Sequence, residues 1–213
     1  MWRRLLSYLW PTIQLREPSL HGVLTVRWEA GAKVLNSANG NQSFGALHRV
    51  WQLIFDELDL RRDPPRDVLL LGLGGGSVPT ILREELGVAA PITAVELDPV
   101  MVELGRRHFG LGSHAGLHVV AGDATMQVHN MRERFDLVVV DLFDDLDLAR
   151  GVDTMGFAHA LRERCSGILC FNTVGYDGIS DQRCQRVKEN LSRVFGKVDE
   201  LRVEGVNRVF VAR

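Results

Sequence analysis

A chain of 213 residues, 46% hydrophobic and 24% charged, is long enough for one medium domain with a sizeable core and a small appendage. Its formal net charge of −2, without a Lys/Arg block, excludes the electrostatic footprint of a nucleic-acid binder, and its apolar runs are strand-sized rather than membrane-spanning. Cys165, Cys170 and Cys184 show neither metal-ligand spacing nor a paired framework, so the expectation is a reduced, cytoplasmic setting with no metal and no membrane partner.

The N-terminal run from Met1 to Pro11 begins like a signal peptide, but its apolar part is short and broken and lacks a small-residue cleavage site. Its two tryptophans, Trp2 and Trp10, are expected to pack on the body of the domain; the other reading is a subunit interface, which makes a homodimer reasonable. Residues 22–28 alternate like a strand, 29–31 supply a turn and 32–36 a second strand, which predicts a β-hairpin. Residues 36–43 are polar and turn-rich. Leu47, Val50, Trp51, Ile54, Phe55 and Leu58 recur at helical spacing within 44–60, and Pro64-Pro65 ends that helix. Residues 1–60 are therefore read as an N-terminal segment, hairpin and helix, ahead of a main domain over 61–213.

From residue 68 the chain alternates strand and helix. Strands are predicted at 68–71, 92–95, 117–120, 137–140 and 167–172, with helices at 78–86, 99–109, 124–131, 154–164 and 181–195. The run at 137–140 is continuous and apolar, as befits a strand buried on both faces. Two closing strands, 199–203 and 208–212, are spaced as a hairpin, so the last should run antiparallel. The fold class expected is α/β: a doubly wound, mostly parallel, Rossmann-like sheet with an antiparallel last strand and a small N-terminal β-hairpin.

In such a sheet the carboxyl ends of the strands line one crevice, and the first four predicted strands of the main domain each end in glycine or a carboxylate. Gly72, Gly74 and Gly76 form a strand-to-helix turn where the backbone can approach a ligand closely. A nicotinamide fingerprint wants a further glycine or alanine at the sixth position, and Ser77 stands there. Glu96 falls roughly 20 residues on, where a carboxylate reaches a ribose diol. Asp123, followed by Ala124, can accept from an adenine amine or cap the next helix. Asp141 and Asp144, with Asp145 and Asp147 behind them, make the fourth tip strongly acidic, suited to attract a cation and to take a proton from an attacking ammonium. His108, His114, His118 and His129 have no partners at metal spacing and read as scattered surface histidines.

Taken together, these motifs resemble the class I S-adenosylmethionine-dependent transferase fold and, within it, the spermidine synthase family of polyamine aminopropyltransferases. The hairpin resembles the family's N-terminal β element. Gly72–Gly76 followed by Leu82-Arg83-Glu84 resembles its glycine motif, although that triplet falls later than usual. Glu96-Leu-Asp98-Pro99 and Gly122-Asp123-Ala124 match its ribose and adenine motifs, and Asp141-Leu-Phe-Asp144 is similar to its Asp-Ser-x-Asp signature. The resemblance implies S-adenosylmethionine or its decarboxylated form as cofactor, methylthioadenosine or S-adenosylhomocysteine as product, a small-molecule amine as acceptor and no metal. By the same carry-over Asp144 is the candidate base and Asp141 a cofactor or amine contact.

The chain also departs from that pattern. Gly75 replaces the family's aspartate in the glycine motif, Asp145-Leu-Asp147-Leu replaces Pro-x-Gly-Pro, and Phe44-Gly45-Ala46 stands where tyrosine, histidine or glutamine, and glutamate are usual. A methyltransferase is the alternative on the same fold, followed by a non-catalytic nucleoside-binding domain. A nicotinamide oxidoreductase is disfavoured by Ser77 and by the antiparallel last strand.

Overall fold

The structure is a computed structural model that describes residues 2–20 and 22–213; Met1, the first residue of the N-terminal run, lies outside them. The chain opens with a short helix, α1 (Trp2–Leu6). Trp2, Leu5, Leu6 and Leu9 follow the i, i+3, i+4, i+7 spacing of one helical face, yet Trp2 is 63% exposed and Leu9 79%. The expectation that Trp2 and Trp10 pack on the domain is not met, since Trp10 is 78% exposed as well. The residue that faces inward is Ser7, whose hydroxyl accepts from the Gly31 amide at 3.0 Å and donates to the Arg4 carbonyl at 2.7 Å.

A four-stranded antiparallel sheet follows: β1 (Thr12–Ser19), β2 (Gly22–Glu29), β3 (Ala32–Asn36) and β4 (Asn41–Ser43), in that order. β2 and β3 are the predicted hairpin. Its two turn residues, Ala30 and Gly31, both have positive φ (44° and 80°), the turn geometry that matches the twist of paired strands. β1 carries Pro18, which is tolerated because this strand lies at the sheet's edge. β4 comes from the stretch read as turn-rich, too short and polar to show a strand pattern.

α2 (Gly45–Glu57) buries Val50, Trp51, Ile54 and Phe55 against the main sheet. The chain then passes through β5 (Val68–Leu71), α3 (Ser77–Thr80, continuing as a π-helical turn Ile81–Glu85), β6 (Ile92–Glu96), α4 (Pro99–His108), β7 (Leu117–Ala121), α5 (Ala124–Asn130) and β8 (Phe135–Val140). The acidic segment after β8 is not an open loop. It folds into a two-residue-per-strand hairpin, β9 (Phe143–Asp144) with β10 (Asp147–Leu148), which the sequence did not signal. α6 (Met155–Arg164), β11 (Cys165–Val174), α7 (Gly178–Val194), β12 (Val198–Val203) and β13 (Asn207–Ala212) complete the fold.

The main sheet has the order β12-β13-β11-β8-β5-β6-β7, with β13 antiparallel to both neighbours as expected. Alternate residues of β5 serve two cores: Leu69 and Leu71 pack with α6 and α7, Val68 and Leu70 with α2 and α3. A third cluster joins the N-terminal sheet to α4 through Leu24, Val26, Leu35, Met101 and Leu104. β5 leads outward to β6 on one side while β8 returns on the other, so the strand order reverses between β5 and β8. A crevice opens at that reversal, which is where open α/β sheets bind ligands.

Candidate active site

The glycine turn is built by what passes over it. Gly72 has φ 92°, and a Cβ there would collide with the Asp141 carbonyl oxygen where the end of β8 crosses. Gly74 has φ 55°, and a Cβ would sit 2.6 Å from the Ser43 hydroxyl. Both positions therefore need glycine for conformation and for space.

The amides of this turn are all engaged. Gly72 donates to the Val95 carbonyl at 3.0 Å and Gly76 to Leu73 at 3.1 Å. Leu73 and Gly74 donate to Glu96 Oε2 at 3.0 and 2.8 Å, and Gly75 donates to Ser43 Oγ at 2.6 Å. A pyrophosphate needs such N–H groups free, so residues 72–76 do not form the dinucleotide version of this turn.

Glu96 is buried at the tip of β6, and its Oε1 also accepts from the Asp98 amide at 2.9 Å. Burial pushes its carboxyl above the ordinary range, opposed by the three backbone N–H groups. A carboxylate has about four acceptor sites, so a ribose would share Glu96 with the glycine turn. Asp98 is fully buried and caps α4 by accepting from Val100 at 2.9 Å. Asp123 caps α5 in the same way: Oδ1 accepts from the Thr125 amide at 2.8 Å and its hydroxyl at 2.7 Å. Asp123, Ala124 and Thr125 nonetheless line the cavity.

The four aspartates after β8 have four different surroundings. Asp141 is held by Trp51 Nε1, which donates to Oδ2 at 2.9 Å, and by Asn172 Nδ2, which donates to Oδ1 at 2.9 Å. Burial pushes its carboxyl up to about 6, with those two hydrogen bonds pulling down and the Glu96 charge adding to the rise. Asp144 is exposed on β9 and lines the cavity. Asp145, at φ 58°, ties the hairpin to the N-terminal sheet by accepting from Ser37 Oγ and Asn39 Nδ2, while its carbonyl accepts from Gln42 Nε2 at 3.3 Å. Asp147 accepts from the Tyr176 hydroxyl at 2.7 Å and, chiefly through that bond, raises the phenol to about 12.

These groups surround a cavity of about 420 Å³ that also reaches Gln42, Met101, Phe143 and Val206. It contains Gly72, Gly74, Glu96, Asp123, Ala124, Asp141 and Asp144 of the residues singled out from sequence, whereas Gly76 supports it from behind with φ 104° beside Leu111. Among the described residues lining it, Glu96, Asp123, Asp141, Asp144 and Asp145 face a single base, Arg150. Such a wall favours a cationic ligand, and its apolar remainder suits a nucleobase and thioether.

Sequence reasoning missed Trp51, Ser43, Asn172 and Asn207. Asn172 carried a usable signal, a polar residue inside the apolar run of β11; Trp51 fell on an apolar helical position that conceals its N–H. The departures acquire a physical cause as well. A Cβ at Gly75 would lie 3.0 Å from Leu35 Cδ2 and 3.1 Å from Ser43 Cβ, so the N-terminal sheet packs tightly against this position. Phe44 does not line the cavity; its ring stacks with Phe109 at 4.5 Å and His48 at 5.3 Å. His114, expected at the surface, is buried, with Nε2 3.2 Å from Thr80 Oγ1.

No family model matches the chain. Among curated proteins, the polyamine aminopropyltransferase of Chromobacterium violaceum is 32% identical over 144 residues, covering 67% of this chain and 54% of that protein. The eEF1A lysine and N-terminal methyltransferase homolog of Drosophila melanogaster is 40% identical over 95 residues, covering 43% of this chain and 14% of that protein. The chain thus spans about half the length of the first and a smaller part of the second. Among solved structures, a probable spermidine synthase from Corynebacterium glutamicum superposes with a TM-score of 0.70 at 14% identity, covering 94% of this chain and 78% of that one. Human methyltransferase-like protein 13 in complex with SAH gives 0.64 at 22% identity, covering 79% and 82%. The chain has the class I S-adenosylmethionine-dependent transferase fold, and its relatives in sequence are polyamine aminopropyltransferases and lysine and N-terminal methyltransferases.

Proposed function

We propose that this protein is a transferase that binds an S-adenosyl nucleoside and moves its alkyl group to the nitrogen of a small-molecule amine in the cytoplasm. The observation that carries the reading is the acid-walled cavity at the strand reversal, beneath a glycine turn whose amides are engaged internally. Its volume lies within the range of small-molecule sites, roughly 300–1,000 Å³. A bound sulfonium supplies an activated carbon: the amine nitrogen attacks it, the carbon–sulfur bond breaks, and the electron pair leaves on sulfur as a neutral thioether.

In this reading Gly72, Gly74 and Gly76 shape the turn against the nucleoside, Glu96 accepts from its ribose, and Asp123 with Ala124 borders its adenine. Asp144, exposed in the cavity, accepts the proton the ammonium must lose before it attacks, and Asp141 binds a cationic group. Aminopropyl transfer from decarboxylated S-adenosylmethionine is the first reading, supported by the sequence likeness to aminopropyltransferases. Methyl transfer is the second, and one observation favours it: Gly75 carries no acid to grip an aminopropyl ammonium, and the N-terminal sheet packs close against it.

A calorimetric panel tests both, using S-adenosylmethionine, its decarboxylated form, S-adenosylhomocysteine, methylthioadenosine and NAD. Binding of the adenosyl thioethers without NAD is the expected result. Strong preference for the carboxylate-bearing ligands selects methyl transfer, and binding of none of the adenosyl compounds removes the enzymatic reading.

A further inference from the structure

Asp141 is reached from two separate parts of the fold, one of them steadied by a third. Trp51, fully buried in α2, approaches Oδ2 from the core side. Asn172, fully buried in β11, approaches Oδ1. Asn207, at the start of β13, donates through Nδ2 to the Asn172 side-chain oxygen at 3.1 Å and so fixes which end of that amide faces Asp141. An indole N–H can only donate, and an asparagine whose oxygen is occupied presents only its NH₂. Neither neighbour offers an acceptor to a protonated carboxyl. Asp141, Asn172 and Asn207 line the cavity, so the remaining acceptor sites of Asp141 are those a ligand would meet.

We infer that Trp51, Asn172 and Asn207 are positioning residues that hold Asp141 as an ionised acceptor for a primary ammonium on the thioether side of the bound nucleoside. The inference rests on the nucleoside reading above, which already gives Asp141 a cationic group to bind, and assigns to these three side chains the task of holding the carboxylate for it. The other ionisable groups on the surrounding elements leave that role open. Glu96 lies at the tip of β6, and Asp144, Asp145 and Arg150 line the same cavity. His48 of α2 is turned to Glu85, Asp147 is bonded to Tyr176, and Arg208 of β13 is committed to Glu200 and Asp181. Asp141 thus sits beside the Glu96 charge, with two neutral donors and no cation bonded to it, and an arriving ammonium would favour its ionised form.

The test compares S-adenosylhomocysteine, which carries the ammonium, with methylthioadenosine, which does not, by calorimetry from pH 5 to 8. The proteins are the native chain, Trp51→Phe and Asn207→Ala. For the native protein, S-adenosylhomocysteine affinity should fall as pH drops through about 6, while methylthioadenosine affinity stays level. Each variant should weaken S-adenosylhomocysteine roughly 3- to 10-fold at pH 7 and move its acid midpoint up by about one pH unit, because the ionised carboxylate loses support. Methylthioadenosine should be unaffected. Equal weakening of both ligands would mean a merely structural role, and an unchanged S-adenosylhomocysteine profile would also overturn the inference. Should Trp51→Phe not fold, Asn207→Ala decides, since Asn207 touches Asn172 and not Asp141. Failure of the native chain to bind either compound removes the nucleoside reading itself, whereas binding of both with identical pH profiles removes this inference alone.

Discussion

The two ends of the cavity are made differently. At the β5–β6 end the polar groups are backbone amides and one buried carboxylate, each closing on the other: residues 72–76 have no free N–H, and Glu96 takes two of them together with the Asp98 amide. At the β8–β11 end the polar groups are side chains on a small hairpin and neighbouring strands, each aspartate with its own partners. The first end has little freedom to vary, because main-chain geometry and glycine space define it. The second can change chemistry by exchanging one side chain, and one of the three departures from the aminopropyltransferase pattern, Asp145–Leu148, lies in its hairpin, whereas Gly75 and Phe44, whose amide donates to Ser77 Oγ at 2.6 Å, lie at the first. Shape belongs to one end and reaction to the other.

That division is most sharply tested at Asp144. Replacement by Asn removes the candidate base while leaving the glycine turn untouched, so turnover should fall roughly 10²- to 10⁴-fold. Methylthioadenosine affinity should be unchanged by calorimetry. Loss of nucleoside binding in Asp144→Asn would show that the two ends are not separable.

Gly72→Ala works in reverse. The added Cβ meets the Asp141 carbonyl, and the backbone holds φ 92°, so neither strain nor collision can be relieved by a side-chain rotation. A loss of about 3 kcal/mol of stability is expected in urea unfolding, from overpacking together with a left-handed residue that is no longer glycine. Glu96→Gln is milder. One of the three amides it satisfies would face the new NH₂ instead of an acceptor, which costs about 2 kcal/mol, in part offset by removing a buried charge. Nucleoside affinity should fall with it.

The same contrast explains what could be read from the sequence. The β5–β6 end was legible because its requirements are local: glycines at Gly72, Gly74 and Gly76, then a carboxylate at the next strand tip. The alternation of strands and helices and the antiparallel β13 followed from periodicity and turn spacing in the same way. The other end was assembled across the chain. Trp51 and Asp141 are 90 positions apart, and Asn172 joins Asp141 over 31, distances at which no spacing rule operates. β4 and the β9–β10 hairpin escaped notice because two- and three-residue strands carry no alternation. The exposed stripe of α1 escaped because apolar helical spacing reveals a face without saying which way it points.

The two ends share one direction of pH response, and the opposite edge of the sheet has the other. Asp141 has a folded value of about 6 against an ordinary 3.8. Between these values the folded protein holds a proton the unfolded chain does not, so its contribution is fully present below 3.8 and is lost as pH rises through about 6. Glu96 shifts in the same direction. Asp136 has the opposite sign: its hydrogen bonds from Arg66 hold it well below 3.8, and its contribution is lost only as pH falls beneath that range. Asp141→Asn should therefore flatten stability between pH 4 and 6 by on the order of 1–2 kcal/mol while leaving the acid limb intact. Urea midpoints at pH 4, 5, 6 and 7 check this, and an unchanged slope would mean that Asp141 titrates at its ordinary value.

The smallest effect is expected at Asp145, the residue that ties the hairpin bearing Asp144 to the loop before β4. Its carboxylate receives Ser37 and Asn39, and Leu146 beside it lies over Gly40. These bonds sit near the surface and hold a left-handed backbone, so Asp145→Ala should lower stability by only about 1 kcal/mol. Its local consequence should be clearer than its global one: hydrogen exchange should quicken at residues 37–42 and 143–148 together, because each segment restrains the other. Exchange at residues 72–76 should not change, since those amides are held by Glu96, Ser43 and the chain itself. If exchange quickened there too, the hairpin would be supporting the glycine turn, and the two ends would be one cooperative unit.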